Sequence, residues 1–420
     1  MKEIERRVLD SLDVEGMLRC LGELVSIPSY GGDEGEAQRF VAGILRDLGL
    51  EVDEWELDFE KLREHPSFSM PFEREAGLGV AGTLKGIGGG RTLILNGHVD
   101  TVEPGEGSNW SHPPLEATME GGRVYGRGTA DMKGGLCCAI FAVKALIDAG
   151  VKLRGDLVVE SVIGEEDGGV GALATVLKDH RGDGAVVMEP TELKVAPAHS
   201  GALAFTVHVQ GRSAHACVRE EGVSAIEKFI HLFKGLRDLE GERNRGVDDL
   251  LYARYRIPYP INIGTVNGGN WPGSVPENLV FQGRIGVLVG ERVEDARRSV
   301  EETITKVSRV DPWLRDHPPR VEWSGYQFDP ARIPAGHPLV EAVSHAYMDA
   351  TGRETTVEGM TYASDMRHLV NTGGTPTVLF GPGDVRNAHA PDEYVEVKEL
   401  VAAARTLALT ALRFCGYEEA

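Results

Sequence analysis

Cysteine is scarce in this chain. Cys20, Cys137, Cys138, Cys217 and Cys415 are scattered through 420 residues, and none forms a C-x-x-C pair. So few and so widely spaced, they argue against a disulfide framework and against a thiolate zinc site. Long apolar runs are missing too: no stretch of about 18 apolar residues occurs, as a spanning helix would require. The opening MKEIERRVLD is charged and amphipathic, and no apolar signal core follows it. The expected location is therefore the cytoplasm. Basic residues are outnumbered, 44 Lys and Arg against 65 Asp and Glu, for a formal net charge of −21. Nucleic acid and anionic membranes attract positive surfaces, so neither is an expected partner. Some of that negative charge could instead sit on a cation.

What remains is the composition of an ordinary globular protein, 41% apolar and 26% charged. The length exceeds one typical core, which favours two domains. DEGEAQRFVAGILRDLGL has helical spacing at Phe40, Ile44 and Leu48. GVAGTLKG and RTLILNG read as strands, and the glycine-rich turn between them predicts a hairpin, since it lacks the G-K-[ST] of a phosphate loop. KGGLCCAIFAVKALIDAG is a helix, apolar at Leu136, Ile140, Val143 and Ile147 and stopped by Gly150. GDLVVESVIG and DGAVVME are further buried strands. This alternation predicts an α/β fold, a mixed and mostly parallel sheet flanked by helices.

The rhythm changes near Ser200. GALAFTVHVQG alternates like a half-exposed strand, and a helix follows from Val223 to Leu236. Strands at INIGTV and ENLVFQGRIGVLV, a helix from Arg292 to Val307 and a strand at PRVEWSGY complete a β-α-β-β-α-β order. That order is the ferredoxin-like split unit. It predicts an inserted α+β domain over 200–326, between catalytic segments 1–199 and 327–420. From Pro334 the α/β rhythm returns, with a helix, a second at SDMRHLVN, the strand TPTVLFGPG and a long C-terminal helix.

In open α/β sheets, function collects at the carboxyl ends of strands. LILNGHVD delivers His98 and Asp100 there, SVIGEEDGG delivers Glu165 and Glu166, and AVVMEPT delivers Glu189. GRGTADMKGG places Asp131 in a glycine-rich loop opening a helix, and TVLFGPGDVRNAHAPDE delivers His389. Taken singly, each has a plain alternative: an Asp caps a turn or helix, a His satisfies a local structure, adjacent acids form a solvated face. Their coincidence at five segment ends points to a divalent-metal site of the zinc kind, with carboxylates enough to hold two ions. Without cations, acids crowded in this way would repel one another.

GHVDTV, GRGTADMKGG, GEED, MEPT and AHAPDE together resemble the dinuclear zinc amidohydrolase family of acetylornithine deacetylase, succinyl-diaminopimelate desuccinylase, aminoacylase-1 and glutamate carboxypeptidases. The likeness covers nearly the whole chain, insert included. It implies that His98 and Glu189 bind one metal, Glu166 and His389 the other, and that Asp131 bridges both. The ions would be zinc, with cobalt or manganese able to substitute. Asp100, two residues beyond His98 and on the same face of an extended strand, would accept the imidazole's free N–H and set its orientation. Glu165 would be the general base, taking a proton from the attacking water and passing it to the leaving amine.

The resemblance implies more for the insert. His215 in GRSAHA matches a histidine that helps bind the oxyanion in the partner subunit's active site, so a homodimer is expected. NGGNWPGSVPEN departs from the commoner pattern: Gly273 stands where an asparagine is usual, leaving Asn270 or Asn278 to replace its contact. Trp271 beside it could stack on substrate or pin the loop. Arg284 resembles a family arginine near the substrate. Arg367 in TYASDMRHL resembles one that binds a substrate carboxylate, unless Asp365 occupies it. The implied activity is removal of an acyl group from a small N-acylated amino acid or amine, acetylornithine deacetylase-like. Dipeptidase, carboxypeptidase and N-formylaminopyrimidine deformylase chemistry are the alternatives within the family. A dinuclear phosphoesterase shares the metal logic but not the motifs. An inactive ligand-binding relative would lack a ligand or the base, and none is missing.

Overall fold

The computed structural model describes residues 1–418. Two compact units divide the chain. The first takes Met1–Ala198, Arg332–Gly359 and the residues from Ser364 onward; the second takes His199–Ala331 and Met360–Ala363.

The first unit is built on a nine-stranded mixed sheet. Its four central strands run parallel in the order Leu157–Val162, Leu93–His98, Gly184–Val187, Thr377–Leu379. Every residue of these four strands is buried, as expected of parallel strands covered on both faces. Antiparallel strands flank them: Leu78–Leu84 and then Glu51–Glu56 on one side, Val195–His199 on the other. Helix Gly134–Asp148 is buried all round from Gly134 to Val143 and packs against the C-terminal helix Val397–Cys415. Among the described residues, no helix is long and apolar enough to cross a membrane.

Two local expectations fail here. The hairpin between GVAGTLKG and RTLILNG does not form, because Leu157–Val162 lies between the two strands. The glycine-rich turn instead packs against another backbone. The N–H groups of Ile87 and Gly88 donate to the carbonyls of Leu153 and Arg154 at 2.9 and 2.8 Å. A Cβ on Gly90 would stand 2.0 Å from the Cys415 carbonyl oxygen, so this position needs glycine. Helix Gly35–Asp47 forms, but it buries Ala37, Val41 and Leu45 rather than Phe40, Ile44 and Leu48. Its rotation is held by Gln38, whose buried amide donates to the carbonyls of Leu78 and Ser161 at 2.8 Å each. A polar anchor of that kind does not register in an apolar periodicity.

The second unit carries a sheet ordered Ile261–Gly268, Asn278–Val287, Gly201–Gln210, Arg320–Glu322. Helices Ala225–Asn244 and Val293–Val310 complete the ferredoxin-like split unit, and Phe205, Phe281, Leu232, Leu236, Val300 and Ile304 lie in its core. Gly201–Gln210 is not half-exposed as its alternation predicts; paired on both edges, it exposes only its last residue and half-buries Ala204 and His208. The first helix runs on past Leu236 to Asn244. The SDMRHLVN helix shrinks to a wide turn, His368–Thr372.

Candidate metal centre

The carboxyl ends of the parallel strands carry the acids and histidines. His98 is the last residue of its strand, and Asn96, His98 and Asp100 alternate onto one face. Glu165 and Glu166 follow Leu157–Val162, Glu189 follows Gly184–Val187, and His389 follows Thr377–Leu379. Asp131 precedes the helix Gly134–Asp148. All seven belong to the first unit.

Asp131 stands between the two histidines. Its Oδ1 lies 3.3 Å from His98 Nε2, and its Oδ2 lies 3.5 Å from His389 Nε2. His98 Nε2 is 3.9 Å from Glu189 Oε1, and His389 Nε2 is 2.9 Å from Glu166 Oε2. Donor atoms of His98, Asp131 and Glu166, and again of His98, Glu165 and Glu189, lie within 4.8 Å of one another. Two ligands about 2.0–2.1 Å from a tetrahedral zinc stand about 3.3 Å apart, so these spacings match a shared ion. Glu165 Oε1 and Glu189 Oε1 are buried without a hydrogen-bond partner among the described residues, as acceptors facing a cation would be. The donor set therefore fits divalent metal, with Asp131 set between the two histidines.

The electrostatics favour a bound cation. Burial, reinforced by neighbouring carboxylates, raises the carboxyls of Glu165, Glu166 and Glu189 above the usual range. Burial alone would raise Asp131 as well, but hydrogen bonds from His389 and His98 hold it low. Burial alone would lower His389, yet its bonds to Asp131 and Glu166 push it up to about 11. His98 is raised in the same manner, against its burial, by Asp100 and Asp131. A divalent ion held among these acids would relieve their repulsion.

Asp100 differs from its expected role. His98 Nδ1 lies 2.9 Å from the backbone carbonyl of Asp100 and 3.6 Å from its carboxylate. The carbonyl is thus the nearer acceptor; it fixes the proton on Nδ1 and turns Nε2 toward Asp131. The carboxylate instead accepts the backbone N–H of Glu166 at 3.0 Å.

Sequence reasoning overlooked one supporting pair. Glu393, in the same AHAPDE run as His389, accepts the backbone N–H groups of Ala130 and Asp131 at 3.0 and 3.1 Å and pairs with buried Arg127 at 2.6 Å. Its place in that motif was the available signal. Beside the centre lies buried Asp365, whose carboxyl is pushed up to about 7 by burial, with Arg367 and His98 opposing. Arg367 is buried as well, and its Nη2 donates to the carbonyl of Gly168. It is engaged inside the fold rather than presented as an open fork.

His215, Asn270, Trp271 and Arg284 belong to the second unit. His215 is exposed, and its Nδ1 accepts the N–H of Cys217 at 3.2 Å, which leaves the proton on Nε2 of the neutral ring. Asn270 and Asn278 are exposed, Asn278 at the start of its strand. Trp271 is 71% exposed. Gly273 packs under its indole, where a Cβ would come within 2.7 Å of Nε1. Arg284 lines a hollow of about 260 Å³ with Thr206, Gln282, Ser324 and Tyr326. Its Nε and Nη2 are buried without a partner among the described residues, and burial lowers its pKa.

A model of peptidase family M20/M25/M40 matches residues 94–413. The N-formyl-4-amino-5-aminomethyl-2-methylpyrimidine deformylase of Halalkalibacterium halodurans is 30% identical over 434 residues, covering 97% of this chain and 96% of that protein. The acetylornithine deacetylase of Klebsiella pneumoniae is 30% identical over 411 residues, covering 94% and 96%. Human carnosine dipeptidase 1 superposes with a TM-score of 0.77 at 16% identity over 99% of each chain, a likeness of fold.

Proposed function

The chain belongs to peptidase family M20/M25/M40 and is a metal-dependent hydrolase; from that footing we propose that it hydrolyses the amide of a small N-acylated amine in the cytoplasm. The observation that carries the reading is Asp131, whose two oxygens each face a different histidine. In this reading His98 and Glu189 would hold one zinc ion and Glu166 and His389 a second, with Asp131 as a ligand shared between them. When bound, the two ions supply Lewis acidity and lower the pKa of water from ~15.7 toward ~7.

The protein's own groups do the rest. Glu165 adjoins the proposed ligand Glu166, and burial with neighbouring carboxylates raises its carboxyl above the usual range, which favours taking up a proton. It takes the proton of the water attacking the acyl carbon and delivers it to the departing nitrogen. Asp100 keeps His98 and the Glu165–Glu166 segment in register. His215, with its proton on Nε2, is the proposed donor to the oxyanion.

Two considerations favour an N-formylated aminopyrimidine over an N-acetyl amino acid. Arg367 is already bonded to Gly168, which argues against it as the fork for an amino acid's carboxylate. Trp271 presents an open indole face suited to a flat ring. N-acetylornithine and similar N-acyl amino acids are the second reading, in which Arg284 would take the carboxylate.

The proposed assembly is a homodimer formed through the second unit. Ile226, Ile230 and Phe233 are exposed at helical spacing along Ala225–Asn244, an apolar stripe that a second copy would cover.

Zinc- and cobalt-loaded protein should be assayed against N-formylaminopyrimidine, N-acetyl, N-formyl and N-succinyl amino acids and dipeptides, each with and without chelator. Chelator-sensitive release of formate or acetate is the expected result. Turnover confined to dipeptides would replace this reading with a peptidase.

A further inference from the structure

The loop bearing Glu165 and Glu166 is gripped at its next residue. Arg74 lies between the strands Glu51–Glu56 and Leu78–Leu84. Its Nη1 and Nη2 donate to the two oxygens of Asp167 at 2.9 and 2.5 Å. Its Nε and Nη2 also reach Glu34 Oε1 at 3.3 and 2.9 Å. The Arg74, Glu34 and Asp167 side chains are 1%, 2% and 13% exposed, so the triad is largely shielded from water. The packing around it is tight. A Cβ on Gly164 would stand 3.1 Å from Arg74 Nη2, and one on Gly168 would stand 2.0 Å from the Ser69 carbonyl oxygen. Arg367 holds the Gly168 carbonyl independently. Both Glu34 and Arg74 precede residue 94, where the family match begins.

The triad bears on the acids beside it. Glu165, Glu166 and Asp167 are consecutive, and Asp100, Asp131 and Glu189 crowd the same region. Like charges brought this close repel one another. Asp100 tethers the loop from within through the Glu166 N–H. A guanidinium that takes both oxygens of Asp167 fixes the loop from without, in position and in rotation.

We propose that Arg74, backed by Glu34, is a positioning residue for the metal centre: its bidentate grip on Asp167 sets the placement of Glu166 as a ligand and Glu165 as a base. This rests on the roles proposed above for those two glutamates. Arg74 itself touches neither substrate nor ion.

The test compares Arg74→Lys and Arg74→Met with the parent and with Arg243→Ala. The last breaks a partly buried ion pair to Glu291 in the second unit and serves as a destabilised control. Zinc affinity and stoichiometry are measured by competition with a chromophoric chelator, alongside Tm, kcat and KM. In Arg74→Lys, which keeps the charge but loses the fork, one of two zinc ions should bind about 10–100-fold more weakly. Its kcat should fall while KM stays within about twofold. Arg243→Ala should lose Tm and keep both ions. Parental zinc affinity and kcat in folded Arg74→Lys would overturn the proposal, as would equal zinc loss in the control. Should Arg74→Met not fold, Arg74→Lys decides alone. A parent that binds no zinc overturns the reading of the centre itself, and the two failures are thereby told apart.

Discussion

Asp100 Oδ2 accepts the backbone N–H of Glu166 at 3.0 Å, while the carbonyl of Asp100 lies 2.9 Å from His98 Nδ1. One residue thus registers two mounts, the strand end that carries a histidine and the loop that carries two glutamates. Asp100→Ala removes the tie to Glu166 but leaves the carbonyl on His98. Zinc affinity should fall about 10–100-fold, with the Asn variant, which keeps an acceptor oxygen, retaining most of it. Equal zinc binding in Asp100→Ala and the parent, measured by competitive chelation, would show that the tie is idle.

Glu165→Gln keeps the side chain's shape and removes its capacity to accept the proton. Both metal ions should stay, as metal analysis would report, while kcat falls about 10²–10⁴-fold or more. Retained turnover with full metal would transfer the base role elsewhere.

The chelated protein should lose stability as pH rises. Its bonds to Asp131 and Glu166 push folded His389 up to about 11, against about 6.5 for an unfolded histidine. Across that window the folded chain binds more protons than the unfolded one, so its stability drops with increasing pH. His98 and the raised Glu165, Glu166 and Glu189 act in the same direction. Asp131, held low, acts oppositely, and its contribution is lost only in acid. Thermal melts from about pH 6.5 to 10 should show a falling Tm in chelator and a flatter profile with zinc. A level chelated profile would contradict the electrostatics described.

Ile230→Asp puts a charge on the apolar stripe of helix Ala225–Asn244. Light scattering should then report monomer where the parent is a dimer. If His215 serves a partner's centre, activity should fall with dissociation and metal content should not. A monomeric variant with full activity would remove His215 from the oxyanion site.

The strand ends could be read from the sequence because each couples a short apolar run to an ionisable group at a fixed offset. His98, Glu165, Glu166 and Glu189 were singled out in this way, Asp131 by its glycine-rich loop before a helix, and His389 by its motif. Arg74 and Glu34 were not, since an ion cluster of residues 34, 74 and 167 leaves no local period; Glu393 lay inside the AHAPDE motif and was passed over. Helix Gly35–Asp47 was found, but its buried face was misjudged, because Gln38 overrides the apolar spacing. The glycine-rich turn looked like a hairpin because two strands flank it. Only the sheet order shows that a later strand separates them.

Strand Thr377–Leu379 pairs on one side with Gly184–Val187 and on the other with Val195–His199. The sheet therefore receives one of its inner strands almost two hundred residues after the neighbours on either side, and His389 follows that strand. A ribosome making this chain would have released His98, Asp131, Glu166 and Glu189 long before the sheet could close around them. On the proposed roles, a nascent chain would lack His389 as a ligand until the closing strand arrived.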